Sequence, residues 1–116
     1  MPEGKEVTCK KGADQGKIFT LDDFLEEAVK RKASDLHVQT NTRPTYRIQG
    51  ELREDDRFDI LDANQVKDLL YNILSDQQIA SFEQRKEIDL SYQTKSSRYR
   101  VNLCMERKNP AGAFRV

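Results

Sequence analysis

Residues 98–116 read RYRVNLCMERKNPAGAFRV, and this pattern predicts a β-hairpin with one polar and one apolar face. Apolar side chains alternate with polar ones from Arg98 to Glu106, which is the period of two that a half-buried strand shows. Residues 108–111, Lys-Asn-Pro-Ala, form a turn-prone segment between the two strands.

The alternation also predicts how the two strands face each other. We expect Arg107 opposite Gly112, so that the returning strand begins at Gly112. This register places Met105 opposite Phe114 in the core. Both strands then bury the same face, which favours one register over the others.

The polar face of this hairpin collects arginines. It carries Arg98, Arg100 and Arg115. A guanidinium is a planar fork that matches phosphate or carboxylate and stays charged at any relevant pH, so these residues form a candidate anion site. The alternative is a solvated sheet edge, with ion pairs between Arg100 and Glu87 or Asp89 on the preceding strand.

Composition limits the class of protein. A length of 116 residues fits one domain, and 36% hydrophobic against 34% charged residues predicts a small core. The formal net charge is zero, which argues against nucleic acid as a partner. No apolar run approaches the roughly 18 residues of a membrane span, and the polar N-terminal residues predict no secretory leader. The two cysteines form no metal or disulfide pattern, so the chain is interpreted as cytoplasmic.

The ends of the chain differ from its middle. Residues 1–17 are polar and rich in Lys and Gly, which predicts a disordered tail. One folded domain is predicted over residues 18–116. Since the sequence stops within an apolar strand, we expect a further domain after residue 116.

Three segments open with a residue that caps a helix N-terminus and continue with an apolar stripe at helical spacing. Two of them carry Gln at the third helical position, which completes a capping box. The predicted N-caps are Thr20, Asp62 and Ser75. The first helix is expected to end near Lys32 and the third near Arg85.

Short alternating segments predict the remaining strands. They are Asp35–Thr40, Thr45–Gln49, a strand beginning at Leu52 after a reversal at Gly50–Glu51, and Ile88–Gln93. The order is helix, strands, two helices, then strands. This order predicts an α+β fold, with a mostly antiparallel sheet of about six strands covered on one face by three helices.

Several segments resemble the secretion ATPases of the type II secretion and type IV pilus superfamily. ASDLHV at residues 33–38 is similar to their A-S-D-[LI]-H-hydrophobic signature, and YRIQG at 46–50 to the R-[IV]-x-G that follows. FEQRKEIDLSY at 82–92 resembles the F-E-x-x-x-E-x-D-[FL]-S-[FY] segment of the PilT-type retraction members. RYRVN at 98–102 resembles their R-F-R-V-N, and AFR at 113–115 their final strand.

The resemblance implies a PAS-like N-terminal domain that packs against a following RecA-like motor domain. In that family the motor domain carries the Walker A loop and Mg²⁺, ATP lies between the two domains, and the assembly is a homohexamer. Domain rotation couples hydrolysis to pilus retraction, which drives twitching motility. The expected partners are therefore the RecA-like domain, neighbouring subunits and the inner-membrane pilus machinery. The chain alone is expected to be no enzyme.

The resemblance also assigns roles to residues of this chain. RYRVN implies that Arg100 contacts ATP with Arg98 beside it, and AFR implies the same for Arg115. No catalytic residue and no metal ligand is expected.

Four further polar residues are interpreted as interface residues. Asp35 braces the start of its strand, and His37 is expected to form a hydrogen bond between domains or subunits. A lone His beside one carboxylate, with no nucleophile nearby, is a poor catalytic or metal site. Glu87 and Asp89 flank Ile88 on one strand and both face away from the core, which favours a polar interface.

Two other functions stay open from the sequence. A stand-alone PAS-like module could sense a small ligand or bind a protein, but a sensor would need an internal cavity. An RNA-binding sheet could use Arg98, Tyr99 and Arg100, although the neutral net charge argues against it. The bulky side chains expected inside the domain are Tyr46, Tyr92, Tyr99, Phe82 and Phe114.

Overall fold

A computed structural model describes residues 7–8 and 18–116. Val7–Thr8 (β1) pairs antiparallel with Ile18–Phe19 (β2) in a small two-stranded sheet. The predicted disorder of residues 1–17 otherwise lies outside the described residues and stays a prediction.

A six-stranded antiparallel sheet forms the centre of the domain. Its strands are β3 (Asp35–Val38), β4 (Thr45–Ile48), β5 (Glu51–Glu54), β6 (Glu87–Gln93), β7 (Arg98–Glu106) and β8 (Asn109–Arg115). They lie in the order β5-β4-β3-β8-β7-β6. The predicted α+β fold is confirmed, and the last strand in sequence lies in the middle of the sheet.

Three helices complete the fold, and they are α1 (Leu21–Lys30), α2 (Ala63–Tyr71) and α3 (Asp76–Arg85). The predicted N-caps Thr20, Asp62 and Ser75 are all confirmed, and each belongs to a complete capping box. A side chain at the third helical position accepts the N–H of the cap residue, which satisfies donors that the helix leaves unpaired. In the part of the chain that the structure describes, no helix is long and apolar enough to cross a membrane.

The core lies between the helices and one face of the sheet. Tyr46, Tyr99 and Phe114 from the sheet are fully buried there, as are Phe24 and Phe82 from the helices. The inward set predicted from alternation is thus largely confirmed. Tyr92 is only partly buried against this cluster.

Helix α2 packs closely on β8, and a glycine makes this approach possible. A Cβ on Gly112 would lie 2.9 Å from a methyl of Leu70 in α2 and 2.9 Å from a methyl of Leu103 in β7. Contacts this short would force the neighbours to move. Gly112 therefore fixes how near the helix layer comes to the sheet.

The predicted register of the β7–β8 hairpin is wrong by four residues, since Phe114 lies opposite Val101 and not Met105. The turn is Arg107–Lys108, where φ is 51° and 71°, and β8 already begins at Asn109. Two left-handed residues form the type I′ turn that matches the twist of paired strands. Because the shift is an even number of residues, every side chain keeps its predicted face.

Other boundaries differ from the prediction by one or two residues. The β4–β5 reversal is formed by Gln49 and Gly50, with φ of 53° and 81°, so that β5 starts at Glu51. Strand β3 ends at Val38, two residues before the predicted end at Thr40, and the chain then leaves the sheet. Asn41 is left-handed, with φ of 66°, and its N–H donates to the Leu61 carbonyl at 2.7 Å.

Candidate functional site

One row of polar side chains crosses five strands on the face of the sheet that the helices leave uncovered. The register places Arg47, Asp35, Arg115 and Arg100 side by side on β4, β3, β8 and β7. Ser91 on β6 completes the row opposite Arg100. The observed β7–β8 register brings Arg100 directly opposite Arg115, whereas the predicted register did not.

Arg98 adds a third guanidinium to the same region. Arg98 and Arg100 are exposed, whereas Tyr99 between them is fully buried and donates its hydroxyl to the Leu25 carbonyl at 3.3 Å. The period of two thus separates the arginines from the core, as the alternation predicts.

A groove of about 500 Å³ follows these side chains. We call it the arginine groove and define it by Arg98, Arg100, Arg115 and Ser91, which are among its lining residues. Beside it lies a depression of about 190 Å³. The depression is lined by Asp35, Asp89, Arg100, Asn102, Ala113 and Arg115.

Asp35 lies between two arginines. Its Oδ1 is 3.5 Å from Nε of Arg115, and its Oδ2 is 3.5 Å from Nε of Arg47. The Ser34 hydroxyl also donates to Oδ2 at 2.8 Å. The Asp35 side chain is 16% exposed against 76% for Arg115, so the carboxylate is held while the guanidinium is largely in solvent.

Arg100 does not form the ion pair with Glu87 or Asp89 that the sequence left open. Both carboxylates instead accept from Nδ2 of Asn102, at 3.1 Å and 3.0 Å. Among the residues that the structure describes, neither Arg98 nor Arg100 has a carboxylate within 4.0 Å.

The facing pair of Arg100 and Arg115 is an electrostatic cost to the fold. Like charges directly opposite each other on neighbouring strands destabilise a sheet. The Asp35 carboxylate lies beside this pair and is shared with Arg47. Asp89 lines the same depression, where its carboxylate accepts from Asn102. An anion bound between the two guanidiniums would remove the repulsion, so the geometry suits phosphate or carboxylate recognition.

His37 lies on the same face, opposite Thr45 and Ala113. Its Nε2 is buried and has no hydrogen-bond partner among the described residues. A buried polar atom without a partner costs free energy. Within the same described ranges, no group of three or more His, Cys, Asp or Glu side chains is placed to hold a metal ion.

A buried ionic cluster on the opposite face of the sheet escaped the sequence analysis. Asp55 is fully buried and accepts from Nε and Nη2 of Arg57 at 2.9 Å and 2.8 Å. The Tyr46 hydroxyl donates to the same carboxylate at 3.0 Å. Arg31, the C-cap residue of α1, lies 3.7 Å from Asp55 and pairs with Glu27 at 2.6 Å. The cluster joins β4, the segment after β5 and α1.

This cluster stays charged at neutral pH. Burial by itself raises the pKa of the Asp55 carboxyl, but the hydrogen bonds and charge of Arg57, with the charge of Arg31, outweigh it and hold that pKa below its ordinary value. Burial and the negative charge of Asp55 raise the pKa of Tyr46, so its phenol stays protonated. The sequence offered one signal for this cluster. Tyr46 was predicted to lie in the core, and a buried tyrosine hydroxyl needs a hydrogen-bond partner.

Comparison with known proteins extends this description. No model of a known protein family matches the chain. The chain is 31% identical over 99 residues to the type IV pilus retractation ATPase PilT of Pseudomonas aeruginosa, and the match covers 83% of this chain and 28% of that protein. The chain therefore spans less than a third of the length of this relative.

Solved structures show the same relationship. The pilus retraction motor PilT, crystallised with bound ADP, matches with a TM-score of 0.77 and 25% identity over 84% of this chain and 29% of its own. The ATPase DotB of Legionella pneumophila matches with a TM-score of 0.65 and 26% identity over the same shares. DotB of Yersinia pseudotuberculosis, at 14% identity and a TM-score of 0.66 over 99% of this chain and 34% of its own, shares the fold. Sequence and fold agree that this chain belongs, as an N-terminal domain, to the PilT-type secretion ATPases.

Proposed function

We propose that this chain is the N-terminal domain of a hexameric motor ATPase that powers type IV pilus retraction. In this proposal its arginine groove contributes to an ATP site that a RecA-like motor domain completes. The support from comparison is that one relative is named as a pilus retraction ATPase and one related structure holds ADP.

The observation that carries the proposal is the pair of facing guanidiniums. Arg100 and Arg115 lie opposite each other on two central strands, and Arg98 lies two residues away on the same face. A phosphate group accepts paired N–H donors from Arg, and these charge-assisted bonds are among the strongest hydrogen bonds in proteins. A triphosphate is a polyanion of the size and charge that three such side chains can hold together.

The chemistry is divided between the two domains. The arginine groove offers donors and positive charge, which bind and orient phosphates. The resemblance assigns the Walker A loop and Mg²⁺ to the motor domain, which would supply the phosphate cradle and the charge stabilisation for hydrolysis. The chain alone would therefore bind triphosphates without hydrolysing them.

The polar face around the groove is proposed as the interface with the motor domain or a neighbouring subunit. It contains Asp35, His37, Glu87 and Asp89. The buried, unpartnered Nε2 of His37 supports this assignment, because a donor or acceptor from another domain would satisfy it. A motor of this kind acts at the cytoplasmic side of the inner membrane, through the pilus machinery.

The filled core favours this proposal over a ligand sensor. Tyr46, Tyr99 and Phe114 are fully buried between the sheet and the helices. They occupy the interior space in which a sensor of small molecules would hold its ligand.

The test is Arg100→Ala in the longer protein that contains both domains. We expect kcat/KM for ATP to fall roughly 10- to 100-fold, because a charge-assisted contact contributes about 1.5–3 kcal/mol. The control is Arg53→Ala, which removes an arginine from the edge strand where it pairs with Glu51. An unchanged kcat/KM in Arg100→Ala would contradict the proposal, as would sustained ATP hydrolysis by the purified chain.

A further inference from the structure

Asp35 already contacts the guanidinium that a ligand in the arginine groove would need. Its carboxylate is 3.5 Å from Nε of Arg115 and lines the depression next to the groove. At 3.5 Å this contact is longer than the roughly 2.7–2.9 Å of a strong charge-assisted hydrogen bond. Arg115 can therefore form shorter bonds with a phosphate than it forms with Asp35.

The surroundings of Asp35 fix the carboxylate more firmly than the arginine. Arg47 and the Ser34 hydroxyl also contact Oδ2, and the side chain is only 16% exposed. Arg115, with its side chain 76% exposed, has room to turn away. If Arg115 leaves, Asp35 keeps Arg47 as a counterion and is not left as an unpaired charge.

We infer that Asp35 is an internal counter-anion of the arginine groove, which holds Arg115 in the unliganded chain and competes with an incoming phosphate for it. The inference rests on the proposed function and deepens it, because it names a residue that sets how tightly the same groove binds. Asp35 acts through Arg115, so it is a positioning residue and not a direct contact of the ligand.

This role predicts that one variant, Asp35→Asn, binds the ligand more tightly but has a lower free energy of unfolding. In Asp35→Asn the amide keeps the shape but loses the charge, so Arg115 is released and one repulsive charge near the ligand disappears. We expect the chain to bind inorganic tripolyphosphate about five-fold more tightly than the wild type, the scale of one exposed ion pair. The same variant should unfold at a lower urea concentration, because β3 loses ion pairs to β4 and β8.

The titration is followed by NMR on the Arg Nε–H groups and the backbone amides of β7 and β8. Glu54→Gln is the matched control, because it removes one negative charge from the same sheet face at its far edge, where Glu54 pairs with Arg43. Arg100→Ala reports whether the groove binds at all. In Asp35→Asn combined with Arg115→Ala the gain should vanish, since the competition acts through Arg115.

The outcomes separate the inference from the proposed function. Tighter binding by Asp35→Asn than by both wild type and Glu54→Gln supports the inference, and equal or weaker binding overturns it. If Arg100→Ala binds tripolyphosphate as the wild type does, the proposed function fails and the inference falls with it. Should Asp35→Asn not fold, Asp35→Ser takes its place. In the wild type the Asp35 carboxyl carbon signal must also move as tripolyphosphate is added, and a static signal counts against the inference.

Discussion

Arg57 and Arg100 carry the same charge in opposite environments. Arg57 donates two short bonds to the fully buried Asp55, whereas Arg100 is exposed and has no carboxylate within 4.0 Å among the described residues. A guanidinium that is committed to a buried carboxylate stabilises the fold, because separating the two would leave a charge in the core. A guanidinium without a partner is available to a ligand.

Asp55→Asn tests the first of these roles. The amide cannot balance the charge of Arg57 or keep both of its bonds, so we expect the free energy of unfolding to fall by about 3 kcal/mol. Urea unfolding followed by circular dichroism measures the change. Glu54→Gln, which breaks the exposed pair with Arg43 on the neighbouring residue, should cost less than about 1 kcal/mol.

The pH dependence of this difference is a second check. The folded-state pKa of Asp55 lies below its ordinary value of 3.8, so its carboxylate stabilises the fold fully above that pH. As the pH falls below 3.8 towards the folded-state pKa, this contribution is lost. The stability gap between wild type and Asp55→Asn should therefore narrow in acid, and a constant gap would contradict the assigned role of the charge.

At the scale of elements, local signals predicted helices better than hairpins. Capping boxes involve residues only three apart, so Thr20, Asp62 and Ser75 could be read directly from the sequence. The hairpin turn was misplaced because Asn109-Pro110 resembles a turn. Strand β8 tolerates Pro110 because its pairing with β3 reaches only to Gly112, so a residue without an N–H has a neighbouring strand on one side alone.

For the candidate site too, the local pattern predicted which face each arginine lies on but did not predict which residues lie side by side. Alternation alone places Arg98 and Arg100 on the polar face, and an even shift of register could not change that. The facing of Arg100 with Arg115 depends on where the β7–β8 hairpin turns, and the sequence pattern misplaced that turn. The position of Asp35 beside them depends on pairing between residues 80 positions apart in the chain. Such pairing is set by the packed core and is not encoded in any short segment.

The Arg107–Lys108 turn offers a prediction at this scale. Both residues have positive φ, which costs a non-glycine side chain on the order of 1 kcal/mol. Arg107→Asn with Lys108→Gly provides the sequence that a type I′ turn prefers, so the free energy of unfolding should rise by about 1 kcal/mol. Urea unfolding measures it.

The β4–β5 turn is the control with the opposite sign. Gly50 has φ of 81° and nothing within 4 Å of the place where a Cβ would lie, so Gly50→Ala adds conformational strain without a clash. It should lower stability by a similar amount. If neither turn variant shifts the unfolding midpoint, strain in these turns does not limit the stability of the sheet.

On the scale of the whole molecule, the two faces of the sheet differ in burial and in how many of their charged groups are paired. The helix side is closed by a filled core and by the Asp55 cluster, whose carboxylate is fully buried. On the other side, Arg98 and Arg100 have no carboxylate within 4.0 Å among the described residues, and Nε2 of His37 is buried without a partner. Two further buried side-chain oxygens in the same described ranges lack a partner, Oε2 of Glu26 on α1 and Oγ1 of Thr40. Under the proposed function, another domain would supply the partners that this polar face lacks.

Under the proposed function, the lining of the arginine groove predicts which part of a nucleotide the chain would bind. The arginine groove presents three guanidiniums, the Ser91 hydroxyl and the Asp89 carboxylate. Tyr99, the aromatic residue among those that line it, is fully buried and cannot stack on a base. We expect ATP, GTP and inorganic tripolyphosphate to bind the chain alike, with a Kd on the order of 1 mM, since a few exposed charge-assisted contacts supply only about 4 kcal/mol. NMR titrations at low and high salt measure this, and binding should weaken as salt screens the charges. A ten-fold preference for one base would show that this chain recognises more than phosphate.

Arg98→Ala should weaken the binding of all three ligands by the same factor, because each would lose the same phosphate contact.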